Sequence, residues 1–123
     1  MNPRLFILTG MVLLLLDSVY FMVTKTYFNN QIKRIQGSFI KMNIPSAILC
    51  YVFLAFGINY FIIHQNKSIQ DAFLLGLIIY AVYELTNKAI LLNWTWLTVL
   101  IDSLWGGILF ASTTYIVRSI DKW

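Results

Sequence analysis

Charge is scarce in this sequence. Only 11% of its 123 residues are Asp, Glu, Lys or Arg, whereas an average soluble domain carries about 25%. So few charges cannot cover a water-facing surface. Cys50 is the only cysteine and His64 the only histidine, which excludes an internal disulfide and any Cys/His metal spacing. No zinc, haem or other cofactor is indicated. The net charge of +4 comes from nine dispersed Lys and Arg residues. With no basic arm or stacking platform, nucleic acid is excluded as a partner and anionic lipid headgroups are the simpler one.

What is abundant is apolar length. The chain is 59% hydrophobic with mean hydropathy +0.74, and four stretches are long enough to cross about 30 Å of hydrocarbon. They are Leu5–Val23, Ile44–Ile63, Ala72–Leu92 and Leu97–Val117. Lipid offers the backbone no hydrogen-bond partner, so each should be a helix; the alternating segments of a transmembrane barrel are absent. The expectation is an all-α integral membrane four-helix bundle, one transmembrane domain over residues 1–123 with short antiparallel up-down connections. The first stretch resembles a signal-peptide core. It lacks a small-residue cleavage pattern and continues through Asp17, Tyr20, Phe21 and Met22, so a retained span is expected. Asn43-Ile44-Pro45 reads as a cap followed by a first-turn proline.

Between the first two spans, Phe28, Ile32, Ile35 and Phe39 recur at helical spacing, with Lys33, Arg34 and Lys41 elsewhere on the wheel. This is either a separate helix lying in the headgroup layer or a solvated loop. Orientation is undecided, because Arg4, Lys67, Arg118 and Lys122 on one face balance Lys25, Lys33, Arg34, Lys41 and the nearby Lys88 on the other. The sequons Asn66-Lys67-Ser68 and Asn93-Trp94-Thr95 fall on opposite faces against the membrane and read as chance. Nothing specifies the host membrane, cellular or viral.

The third span, AFLLGLIIYAVYELTNKAILL, carries Glu84, Thr86, Asn87 and Lys88 in its second half. Asp17 and Asp102 also lie inside spans. At 1.5 Å per residue, Asp17, Glu84 and Asp102 fall about 9, 12 and 8 Å from the same membrane face. Three carboxyls from three helices therefore share a level. An acid facing lipid costs roughly 2.5–3.5 kcal/mol on insertion scales, so all should point inward. Helical spacing extends them into faces: Gly10, Leu13, Asp17, Tyr20 and Thr24; Gly76, Tyr80, Glu84, Asn87 and Leu91; Thr98, Asp102, Trp105, Leu109 and Ser112. The second span would add Ser46, Cys50, Phe53, Gly57 and Tyr60.

Tyr20, Tyr80, Tyr83, Asn87 and Trp105 can donate to these acids. Lys88 can pair with Glu84 or snorkel to the headgroups. Without a cation, three neighbouring carboxyls cannot all stay ionised, which makes a proton or metal-ion site conceivable. Ser103, Gly107 and Ala111 form a small-residue packing stripe beside Gly106. Leu16-Asp17-Ser18 and Ile101-Asp102-Ser103 echo one another, each with an aromatic three residues after the acid. Local pseudo-symmetry and coincidence both fit.

The ordered segments LLLLDSVY, PSAILCYVF, YAVYELTNKAIL and TVLIDSLWGG resemble the domain of unknown function 2177 family, small four-span membrane proteins, over nearly the whole chain. The family's Leu-Asp-x-x-Trp matches Leu16 and Asp17, with Tyr20 in place of Trp. Its Tyr-Asp-Leu-Thr-Asn matches Tyr83, Leu85, Thr86 and Asn87, with Glu84 for Asp, and its Asp-x-x-Trp-Gly matches Asp102, Trp105 and Gly106 in full. The resemblance implies fold and site positions, not a reaction. Three roles remain open from the sequence: a small transporter or channel-like protein in which the acids bind or pass a cation or proton, a structural or accessory membrane protein with homo-oligomeric or membrane-protein partners, and a lipid-directed enzyme. The last lacks a nucleophile constellation.

Overall fold

The computed structural model describes residues 3–36, 44–91 and 93–121. It is all-helical: α1 is Pro3–Gln36, α2 is Ile44–Ile58 prolonged by a π-helical turn Asn59–Ile63, α3 is Ile69–Ile90 and α4 is Trp96–Asp121. Four helical stretches are long and apolar enough to cross a membrane: Pro3–Tyr27, Ile44–Ile63, Ile69–Ile90 and Trp96–Asp121.

Among the described residues, the segment after the first span forms neither a separate interfacial helix nor a loop, the two alternatives its sequence left open. Residues through Gln36 continue α1 without a break, giving a 34-residue helix about 51 Å long. It exceeds the hydrocarbon thickness of about 30 Å, so one end of α1 must project or the helix must tilt. Helical periodicity in this segment was real, but nothing between Thr24 and Asn30 is a strong helix breaker. Phe39, Lys41 and the expected Asn43 cap lie outside the described residues.

The other boundaries have local causes. Pro45 sits in the first turn of α2, where a missing N–H leaves no bond unmade. Ser68 caps α3, its hydroxyl accepting from Asp71 N at 3.1 Å. At the start of α4, Thr95 Oγ1 accepts from Thr98 N at 3.2 Å. Asn66 takes φ 55° in the turn before α3, a left-handed conformation that asparagine tolerates better than most residues.

Packing ranks the helices. In α4, 44% of the apolar window is buried, against 17–22% in the other three, so α4 is the central element. Its broadest partner is α3; α1 packs on α4 and on α2. Contact order runs in opposite directions within each of these pairs. Tyr27 meets Thr98 and Tyr20 meets Asp102 between α1 and α4; Gly76 faces Phe110 and Tyr80 faces Gly106 between α3 and α4; Gly10 faces Ala55 and Asp17 meets Tyr51 between α1 and α2. Leu13, Ala55, Ile58, Ile62, Ala72, Leu109 and Phe110 form the buried apolar core.

The outward surface is greasy. Met22 and Val23 are 76% and 80% exposed, and many other large apolar side chains face outward, as suits a lipid environment and no aqueous one. Hydroxyls on this surface satisfy themselves along their own helices: Ser18 donates to Leu14 O at 2.7 Å, Thr86 to Val82 O at 2.7 Å and Ser119 to Tyr115 O at 2.9 Å. Thr86 therefore stands on the outer face of α3, although its neighbours Glu84 and Asn87 turn inward or lie half-buried.

The α2 face expected to point inward does the opposite. Ser46, Cys50, Phe53 and Tyr60 are exposed, whereas Tyr51, Leu54, Ala55, Ile58, Asn59 and Ile62 turn toward the other helices. An all-apolar helix in lipid has no hydrophobic contrast to orient it, and mildly polar Ser and Cys are tolerated outside. The orientation follows from Tyr51, which has an acid to reach.

The tightest seam joins α3 and α4. A Cβ on Gly76 would lie 2.8 Å from the carbonyl carbon of Gly106 and 2.7 Å from the Phe110 ring. Gly107 faces Phe73 and Gly106 faces Tyr80, so these two glycines receive aromatic side chains from α3. Ser103 is buried and Ala111 half-buried on the same helix. Gly76→Ala is expected to destabilise the folded protein by about 1–3 kcal/mol through overpacking, measured by thermal unfolding in detergent micelles. Gly57→Ala, with nothing within 4 Å of its added Cβ, should not.

Candidate functional site

Each inward acid is positioned by its helix face and bonded by a donor on another element. On α1, Asp17 Oδ1 accepts from Trp105 Nε1 of α4 at 3.0 Å, and Oδ2 accepts from the Tyr51 hydroxyl of α2. On α4, Asp102 Oδ1 accepts from the Tyr20 hydroxyl of α1 at 2.5 Å. The two acids thus trade aromatic donors. Tyr20 lies three residues after Asp17 and serves Asp102; Trp105 lies three residues after Asp102 and serves Asp17. Between them the Tyr20 and Trp105 rings stack, centroids 4.5 Å apart and planes within 4°. The sequence echo therefore corresponds to a reciprocal contact across two helices that run in opposite directions.

Glu84 of α3 completes the group. It is 1% exposed, accepts from Trp94 Nε1 at 2.8 Å, and lines the same cavity as Asp17 and Asp102. The structure thus gathers Glu84, Asp102 and Asp17 around one cavity, with Asp102 and Asp17 linked through the Tyr20–Trp105 stack. Among the described residues, no three of His, Cys, Asp and Glu converge tightly enough to hold a metal ion.

The supporting residues divide. Tyr20 and Trp105 donate to the acids. Tyr80 is half-buried and packs edge-on against Phe110, rings 6.4 Å apart. Tyr83 is 62% exposed yet still borders the site, and Asn87 is half-buried. Lys88 turns to Trp96, its ammonium 5.4 Å from the ring centroid, while Trp94 occupies Glu84. Of the two fates open to Lys88 in the sequence, the structure favours the one directed toward the membrane boundary.

Two donors escaped sequence reasoning. Tyr51 was hidden by the misassigned face of α2. Trp94 lies in the short turn between α3 and α4, counted only as a connection, yet it is 6% exposed and folds back ten residues to Glu84. Its signal was the isolated donor of an indole beside a buried acid. The turn also starts a hydroxyl group: Tyr27 Oη lies 3.1 Å from Thr95 Oγ1 and 2.9 Å from Thr98 Oγ1, and the two threonine oxygens are 2.9 Å apart. Thr98 stands one helical turn before Asp102.

All three acids line one cavity of about 910 Å³. It runs along α1 from Phe6 to Thr24 and along α2 from Ile44 to Ala55. Exposed Met11 and Leu14 of α1 and Ile48 and Val52 of α2 form its outer walls, so it opens sideways between these helices. No Lys, Arg or His is among its lining residues.

Fold and site together define a small polytopic membrane protein with a buried, aromatic-bound carboxyl cluster. The family described as a predicted membrane protein family, domain of unknown function 2177, matches residues 3–118, and the chain belongs to it. No curated protein and no solved structure matches the chain.

Trp94→Phe keeps an aromatic ring and removes the Nε1–H that donates to Glu84. It should cost about 1–3 kcal/mol, the usual penalty for leaving a buried polar group short of a partner. Trp96→Phe, at a 66% exposed position, should cost much less in the same unfolding assay.

Proposed function

We propose that this protein is a small proton-handling membrane carrier in which Glu84 and Asp102 hold an exchangeable proton and Asp17 extends the site. The observation that carries the reading is geometric: carboxyls from three spanning helices, Glu84 among them at 1% exposure, line the wall of one cavity. Intramembrane acids facing a cavity commonly mark ion or proton paths.

Surrounding polarity supports access from one membrane face. The Tyr27, Thr95 and Thr98 hydroxyls lie between the α3–α4 turn and Asp102. On the other side, Leu13, Ala55, Ile58, Leu109 and Phe110 form a dry layer, with Leu109 and Phe110 about 11 Å along α4 from Asp102. Beyond that layer come buried Thr9, Asn59, Thr113 and Thr114. The hydroxyls of Thr113 and Thr114 have no hydrogen-bond partner among the described residues. Polar groups on both sides of an apolar layer suit a carrier that must rearrange, and are unlike a continuously open pore.

A structural role is the competing reading, and one observation favours it. The acid contacts join α1 to α2, α1 to α4, and α3 to the turn before α4, so the same bonds would fix helix register without moving anything. Vesicles separate the two. Reconstituted with an enclosed pH dye and an imposed pH gradient, the parent protein should dissipate the gradient roughly tenfold faster than empty vesicles, while Asp102→Asn should match empty vesicles and remain folded. Equal rates for parent and empty vesicles would leave the structural role.

A further inference from the structure

We propose that the side-opening cavity between α1 and α2 binds an amphiphilic organic cation, a singly charged group carrying apolar substituents, whose charge replaces the proton assigned to Glu84 and Asp102 under the proposed function. The proposal rests on the proton reading only for that exchange; binding itself stands on the shape and charge of the groove.

Three features select this ligand chemistry. The first is charge: Asp17, Glu84 and Asp102 line the cavity and no basic side chain does, so a ligand cation meets negative groups with no resident counter-charge. The second is the character of the walls. Ile7, Met11, Leu14, Ile48 and Val52 are apolar and exposed on the lipid side, so a ligand with apolar arms can enter from the bilayer with little change of environment. The third is the inner end, where the stacked Tyr20 and Trp105 rings adjoin the acids. Aromatic rings with carboxylates favour diffuse organic cations through cation–π attraction.

A small hydrated metal ion fits less well. The acids' oxygens already accept from Tyr20, Tyr51, Trp94 and Trp105, and no metal-ligating triad exists among the described residues. An organic cation needs no inner-sphere ligands and loses little hydration on burial. The cavity of about 910 Å³ falls within the range of roughly 300–1,000 Å³ typical of drug-sized ligands.

The exchange balances in charge. One cation enters, one proton leaves the Glu84–Asp102 pair for water, and the site's net charge is unchanged. The other titratable groups lining the cavity are Asp17 and Tyr20 on α1, Tyr51 on α2, and Tyr80 and Tyr83 on α3.

Equilibrium binding of tetraphenylphosphonium to the purified full chain in neutral detergent micelles tests this, with proton release followed by a pH dye in weak buffer. The expected result is saturable binding at one site with close to one proton released. Glu84→Gln should weaken it by roughly tenfold or more. Ala47→Phe, which adds bulk at a groove-lining position and leaves all three acids in place, should weaken binding comparably and keeps the test valid if the Glu84 variant misfolds. Absence of saturable binding, or undiminished binding in both variants, would overturn the proposal. So would equal displacement by a neutral long-chain alcohol, which would show partition into an apolar groove. No phosphonium binding together with gradient dissipation in vesicles removes this inference and leaves the proton reading; binding without dissipation removes the proton reading and keeps the cation site.

Discussion

The arrangement depends on the reciprocal bonding of Asp17 and Asp102. Neither acid can be left in the membrane interior without donors, and each obtains one from the aromatic three residues beyond the other acid. This fixes the register of α1 against α4, because sliding either helix by one turn would strand both carboxyls. The remaining elements attach to that pair. Tyr51 brings α2 to the second oxygen of Asp17, and Glu84 ties α3 to the turn before α4 through Trp94. Apolar packing alone specifies little in lipid, where tails are as greasy as side chains. Here the polar contacts supply specificity, and glycine-lined packing of α3 on α4 supplies close fit.

The same contacts explain why the site is asymmetric. Glu84 is almost fully enclosed, whereas Asp17 and Asp102 are only half-buried and border a cavity open between α1 and α2. Helix α2 leans chiefly on α1 and makes no extensive seam with α3. Its inner end carries a π turn in which His64 N bonds to Asn59 O and Asn59 Nδ2 reaches Ala55 O at 2.9 Å. Arg118 of α4 donates to the Ile62 and Lys67 carbonyls, tying that end of α2 to α4, while the other half of α2 is held to α1 by Tyr51 and Asp17 along the cavity wall.

Much of this was legible in residue order. Four apolar stretches located the spanning helices, because lipid leaves the backbone no alternative. Asp17, Glu84 and Asp102 could be placed at one depth, since helical rise is nearly constant and intramembrane acids avoid lipid. The paired Asp-x-x-aromatic segments even contained the reciprocal contact, although sequence cannot say whether two similar helices touch. Other features depended on tertiary contact. Helix α2 has no hydrophobic contrast, so its inward face was set by Tyr51 reaching Asp17 and not by periodicity. Trp94 lay outside every span, and only the fold-back of the turn revealed its bond to Glu84. The polar segment after Tyr27 kept its helical period, but periodicity does not distinguish a new interfacial helix from the continuation of α1.

The most direct measurement is a double-mutant cycle on the first of the exchanged bonds, comparing unfolding free energies of the parent, Tyr20→Phe, Asp102→Ala and the double variant in the same micelles. Direct bonding between these residues predicts that the double variant loses less than the sum of the single losses, with a coupling of about 0.5–3 kcal/mol. Strict additivity would mean that Tyr20 and Asp102 do not meet, and the shared interior of carboxyls and aromatic donors would be contradicted.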